Sequence, residues 1–393
     1  MKKIVLITAL LFASVKNYSH IGSKNIRIRP DVDTVIRPDT LLINLLELAA
    51  QKEKEGNYIA AIDFYTKVLM TDTGLGTAYM HRAVCKQAMN DYNGAESDYY
   101  KGINAGLSWQ ESYETYYNRG IIKIINGELD KAKNDLDVAI KLNPEFTDAY
   151  YNRSVVKGKL GDYIGELEDI NQVISLRPAD DNAWNSRGIV KSIMGDLTGA
   201  VNDYNECVKI NKENADAFFN RGIVNYEMLN FEESIEDFNQ AITLKPDAET
   251  YNRRGNAKHK LNNLRGAHED YSLAIKIDPL SFVGYINRGM ILIEMKQFES
   301  AIIDLDVSVM LNPEYPENYF YRGIAKEETK NIDESIDNYS MAIFLNPDYA
   351  EAWYRRGVIQ RKKGESNQSC KDLYQAYQLG HEGASVEIKK HCR

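Results

Sequence analysis

Residues 182–222 read NAWNSRGIVKSIMGDLTGAVNDYNECVKINKENADAFFNRG, and this stretch opens and closes on one phrase. Trp184 stands three residues before Arg187, and Phe218 three before Arg221; a Gly follows each Arg. An aromatic at i and a Gly at i+4 lie on one face of a helix, a large residue beside a small one. Gly195-Asp196 marks a turn seven residues after the first Gly. Ala200 and Tyr204 then repeat the small-large pair, in reverse order, on a second helix. The segment therefore encodes helix, turn and helix, and then begins again.

Working outward, the phrase recurs with Arg119, Arg153, Arg187, Arg221, Arg254, Arg288, Arg322 and Arg356. Successive arginines are 34 residues apart except for 33 between Arg221 and Arg254. Two looser units precede them, centred on Arg82-Ala83 and Leu48-Ala49, with three extra residues around Gly106. The aromatic recurs as Tyr79, Tyr116, Tyr150, Trp184, Phe218, Tyr251, Tyr285, Tyr319 and Trp353. Turns fall at Gly127, Gly161, Gly195 and Gly364, with Asn or Lys expected in place of Gly elsewhere. Pro144, Pro178, Pro246, Pro279, Pro313 and Pro347 close six units, where a helix has to stop.

This pattern resembles the tetratricopeptide repeat: aromatic, large residue, Gly, a mid-unit Gly, then Ala, an aromatic and a terminal Pro. The likeness covers about ten units over residues 41–383. Three departures are an Arg before the Gly where the family carries a large apolar residue, Glu166 at the small position of the second helix, and Lys212 in place of one closing Pro. The resemblance implies an all-α fold, an α-solenoid of about ten helix-turn-helix repeats wound as a right-handed superhelix. It also implies a non-catalytic scaffold that binds a partner protein or peptide in its concave groove.

An acid follows the Arg by sixteen residues in eight units: Asp98, Asp135, Asp169, Asp203, Asp237, Asp270, Asp304 and Asp372; Asn338 takes the place in the ninth. Acids that track the arginines so closely predict a ladder of ion pairs fixing register, in preference to a free basic stripe.

The first helices line the concave face in the family, so partner-binding residues are expected just before the recurrent Arg. These are Tyr117, Asn118, Tyr151, Asn152, Phe219, Asn220, Asn252, Asn287, Phe320 and Tyr354. Aromatic groups beside Asn suit a segment with apolar side chains and backbone groups that need partners. Ile121, Val155, Ile189 and Ile223, two residues after the Arg on the same inward face, serve equally well as packing between repeats. A carrier of a non-protein ligand such as a glycan is the alternative use of such a groove.

Composition narrows the function further. The formal charge is -9 with no Lys/Arg block, which disfavours nucleic acid as a partner. The histidines lack H-E-x-x-H spacing, and Walker, G-x-S-x-G and G-x-G-x-x-G motifs are absent. No enzyme activity, cofactor or metal site is expected. Lys2 and Lys3 before the apolar run Ile4 to Val15 read as a signal peptide over 1–19, and 20–40 as an extended linker. That places the protein outside the cytoplasm, periplasmic or secreted, with no membrane span once the signal is removed. Residues 384–393 read as a capping helix. Folded back, that cap could bring Cys392 to Cys370 for a disulfide in an oxidising compartment, two free thiols being the alternative.

Overall fold

A computed structural model describes residues 38–392. Among these there are twenty-one helices and no strand. They pair in chain order: α1 (Pro38–Lys54) with α2 (Tyr58–Thr71), α3 (Gly76–Ala88) with α4 (Tyr92–Ala105), and α5 (Trp109–Ile125) with α6 (Leu129–Leu142). Next come α7 (Thr147–Lys159) with α8 (Tyr163–Leu176), α9 (Asp181–Ile193) with α10 (Leu197–Ile210), and α11 (Ala215–Glu227) with α12 (Phe231–Leu244). The array goes on with α13 (Ala248–Lys260) and α14 (Leu264–Ile277), then α15 (Phe282–Glu294) and α16 (Phe298–Leu311). The last pairs are α17 (Pro316–Glu328) with α18 (Ile332–Leu345) and α19 (Ala350–Lys363) with α20 (Ser366–Gln378); α21 (Glu382–His391) follows alone. The fold is an all-α solenoid of ten hairpins.

Two boundaries differ from the sequence reading. The helical array begins at Pro38, inside the stretch read as linker, because Pro is preorganised for the first helical position. The last helix begins at Glu382, two residues before the expected start. The expected signal segment lies outside the described residues.

Every hairpin turns through one left-handed residue eight positions after the recurrent Arg register. Gly takes that place five times, at Gly56, Gly127, Gly161, Gly195 and Gly364. Asn90, Asn262, Lys296 and Lys330 adopt it too, and so does Leu229 (φ 64°), where Asn or Lys was expected. The next residue then caps the second helix in several units. Asp91, Asp162 and Asp196 each accept from the N–H three residues on, all at 2.9 Å.

The small-large pairing sets how closely the two helices of a hairpin approach. A methyl group added at Gly188 would lie 2.6 Å from the Tyr204 ring, and one at Gly222 2.8 Å from Phe238. The core is therefore a chain of clusters, each bridging one hairpin to the next. Ala132, Leu136 and Ala139 of α6, for example, pack with Ala149 and Val156 of α7. Successive first helices also touch one another, as in α13 with α15 and α15 with α17, which places them on the inner side of the curve.

Candidate functional site

The recurrent Arg is a three-way clamp. Its Nε and Nη2 grip the Asp sixteen residues on, in the second helix of its own hairpin. For Arg82–Asp98 the distances are 2.8 and 2.7 Å, and for Arg187–Asp203 they are 2.9 and 2.7 Å. The same fork closes at Arg119, Arg153, Arg221, Arg254, Arg288 and Arg356. Each of the eight Asp residues is buried. These arginines hold the array together instead of lining a basic binding stripe, as the acid spacing predicts.

Two further arms of the clamp were not read from the sequence. Nη1 reaches back to an oxygen on the second helix of the preceding hairpin. Its acceptors are Thr66, Asp137, Asn171, Asn205, Asn239, Ser272, Asp306 and Ser340, at 2.6–3.1 Å. Each lies eighteen residues after its own repeat's Arg register, so a polar residue recurs there and the signal was available. Lys four residues after the Arg adds a second cation to the Asp: Lys86, Lys123, Lys157, Lys191 and Lys258, at 2.7–2.9 Å. Burial would raise the Asp98 carboxyl, but its bonds from Arg82 and Lys86 hold it below the usual carboxylate range. Where Asn338 replaces the Asp, Arg322 keeps one bond of 2.7 Å to it and finds its counter-charge in Asp306 at 2.7 Å. Arginine also lies over the aromatic three residues before it, 4.6 Å from the Trp184 ring for Arg187.

The structure divides the ten expected partner-binding residues. Phe320, Asn252 and Asn220 are 5%, 6% and 7% exposed, so they are interior groups and not ready contact surface. Phe320 packs with Tyr321, Tyr339 and Tyr349, and Asn220 Nδ2 donates to Asn185 Oδ1 across the repeat boundary at 3.1 Å. Asn252 Oδ1 is buried with no donor. The other seven, Tyr117, Asn118, Tyr151, Asn152, Phe219, Asn287 and Tyr354, are half-buried. Asn152 donates to the Tyr117 hydroxyl at 3.1 Å, and burial pushes the Tyr151 hydroxyl up. Tyr354 stacks on His381 with ring centroids 4.0 Å apart. Helical register gives the direction in which a side chain leaves its helix but not how closely the neighbouring helices approach, and that proximity is what buries the three.

Family models of the tetratricopeptide repeat match the chain at 113–146, 215–247, 248–279 and 284–315, and a further repeat model of the same type at 193–228 and 328–364. The protein is a tetratricopeptide-repeat solenoid. Among solved structures it is similar to YrrB, described as "a TPR protein with an unusual peptide-binding site" (16% identity, TM-score 0.43, covering 48% of this chain and 98% of that one). It is also similar to the APC/C hetero-tetramer Cut9–Hcn1 (13% identity, TM-score 0.48, covering 91% and 98%). A third likeness is to a tetratricopeptide-repeat protein of Parabacteroides merdae (18% identity, TM-score 0.48, covering 64% and 98%). No curated protein matches the chain.

In this tetratricopeptide-repeat protein the C-terminal end of the array is tied down. Cys370 of α20 and Cys392 after α21 form a disulfide with Cα atoms 5.6 Å apart, and Arg361 pairs with Glu387 at 2.6 Å. Among the described residues no group of three His, Cys, Asp or Glu could hold a metal ion. No described helix is long and apolar enough to cross a membrane.

Proposed function

We propose that the array is a non-catalytic scaffold that holds a partner protein or peptide segment against its first helices, and that it works outside the cytoplasm, in the periplasm or secreted. Tetratricopeptide repeats serve protein–protein interaction generally, and seven half-buried aromatic and amide residues across five repeats carry the reading further. Side chains that are half-ordered before binding lose little entropy when a partner covers them, and their amides can pair with a peptide backbone in both directions. The Cys370–Cys392 disulfide supports export, since such bonds persist in oxidising compartments.

A photoreactive residue at Asn287, on the inner side of α15, tests the groove. A second one at the exposed Ile303 of α16 serves as control. The expected result is a discrete protein adduct from position 287 and none from 303. Adducts from 303 alone would move the interface to the outer face. Truncation of Tyr151 and Phe219 is a poorer test, because Tyr151 packs against the Ile170–Val190 cluster and Phe219 against Phe238.

A further inference from the structure

The clamp fails at one junction. Tyr100 occupies, in repeat 2, the position that supplies the Nη1 acceptor in eight other repeats, and it is 60% exposed. Arg119, the arginine it would serve, keeps Nε and Nη2 on Asp135, while its Nη1 bonds to no side chain. Three extra residues separate Arg82 from Arg119, and α4 meets α5 over a thinner junction than any other pair of successive helices. A cleft of about 530 Å³ opens there, lined by Asn93, Glu96, Ser97, Tyr100, Arg119 and Lys123. Its volume falls within the roughly 300–1,000 Å³ of small ligand sites. Asn93, Glu96, Ser97 and Tyr100 follow at helical spacing, so one face of α4 forms a wall and the two cations of α5 form the floor.

We infer that this cleft between repeats 2 and 3 binds an Asn or Gln side chain of a partner polypeptide, its amide oxygen accepting from Arg119 Nη1 and its N–H donating to Glu96. The inference rests on the scaffold reading and adds a second contact site away from the first-helix groove. Three observations select an amide. The array's own solution at this position is a side-chain oxygen, an Asn in three of the eight clamps. Arg119 and Lys123 already share Asp135, and Glu96 adds a second negative charge. Two cations face two anions, so the cleft is neutral overall and gives a charged ligand no net attraction. A free donor beside a carboxylate matches a group that accepts and donates at once, and the Tyr100 ring offers a flat apolar surface for the neighbouring residue of the partner.

Tyr100→Asn tests this, because it returns the acceptor that the array uses elsewhere and fills the site from within without touching Arg119. A random linear-peptide phage library is panned on the full chain and counter-selected on Y100N. The expected peptides share an Asn or Gln next to an apolar residue. They lose about tenfold or more in affinity against Y100N, against Glu96→Ala, and when their own amide is changed to Asp or Ala. Failure to recover any peptide that separates the two proteins overturns the inference. So does a selected set that keeps its affinity when the amide becomes Asp, which would make the site an acid binder. A glycan array retained by the parent and lost by Y100N, with no such peptide, would replace the peptide by a sugar. Peptides that bind both proteins equally belong to the first-helix groove, so the two sites fail or stand separately.

Discussion

Glu166 stands on α8 where Ala132 and Ala200 stand in the neighbouring hairpins, and Gly158 of α7 opens the space that it fills; a methyl group at Gly158 would lie 2.4 Å from its carboxyl oxygen. Burial first, and then the charge of Asp162, push the Glu166 carboxyl up to about 7 from the ordinary 4.5. At about 1.4 kcal/mol per pH unit that gap is worth at most about 3.5 kcal/mol. The carboxyl keeps contact with water, and screening reduces this to roughly 1–2 kcal/mol. A carboxyl raised in the folded state favours folding most when it is protonated in both states, below about pH 4.5. As the pH climbs to 7 the unfolded chain releases its proton and the folded chain does not, so stability falls; above about 7 the loss is complete. Glu166→Gln keeps the shape and removes the charge. The variant and the parent should have equal urea midpoints at pH 4, and the variant should gain progressively between pH 5 and 7. It should end roughly 1–2 kcal/mol more stable at pH 8, with an unchanged denaturant slope. Hydrogen exchange of α7 and α8 should show the same gain locally, which matters in a repeat array whose unfolding need not be all-or-none. A variant no more stable than the parent at pH 8, or equally more stable at pH 4 and pH 8, would refute the assignment of an unsatisfied buried charge.

The clamp makes a graded prediction. Arg221→Leu leaves Asp237 with only the Asn225 amide and should cost about 3–5 kcal/mol by urea denaturation, whereas Arg187→Leu leaves Asp203 paired to Lys191 and should cost visibly less. Leu229→Gly relieves a left-handed Leu that is 72% exposed and should raise stability by about 1 kcal/mol, read as a higher urea midpoint. Replacing Cys370 and Cys392 with Ser opens a cross-link of sequence separation 22, and should cost about 3 kcal/mol and speed hydrogen exchange over α21 while the central repeats stay protected.

The period, the hairpin and the Arg–Asp ladder were legible because each is written in residues that recur at a fixed spacing, and a repeat confirms itself when it recurs. The backward arm of the clamp was equally periodic, in Thr66, Asp137, Asn171 and their successors, but it crosses from one repeat to the next. Reading within the unit conceals a bond between units. The inner row was legible only in part, for a related reason. Phe320 and Tyr354 occupy comparable places on α17 and α19, yet Phe320 is enclosed by Tyr339 and Tyr349 while Tyr354 meets His381 of the last turn. Which of two such residues is buried depends on what the following hairpin carries.

The same reasoning says where partner-specific contacts should be sought. A ladder in which eight of nine arginines bond to two hairpins is a device for register. Replacing buried ion pairs with apolar residues often costs little, so their persistence here fits a demand for one fixed curvature more than a demand for stability. A solenoid of fixed curvature presents its groove as a rigid surface, and any position that breaks the ladder leaves a donor or acceptor without its internal partner. Arg119 facing Tyr100 is such a break, and it coincides with the three extra residues between Arg82 and Arg119 and with the cleft that Tyr100 and Arg119 line. Where one bonding scheme recurs at nine arginines, the junction whose bonds do not close is the place to look for a contact with another molecule.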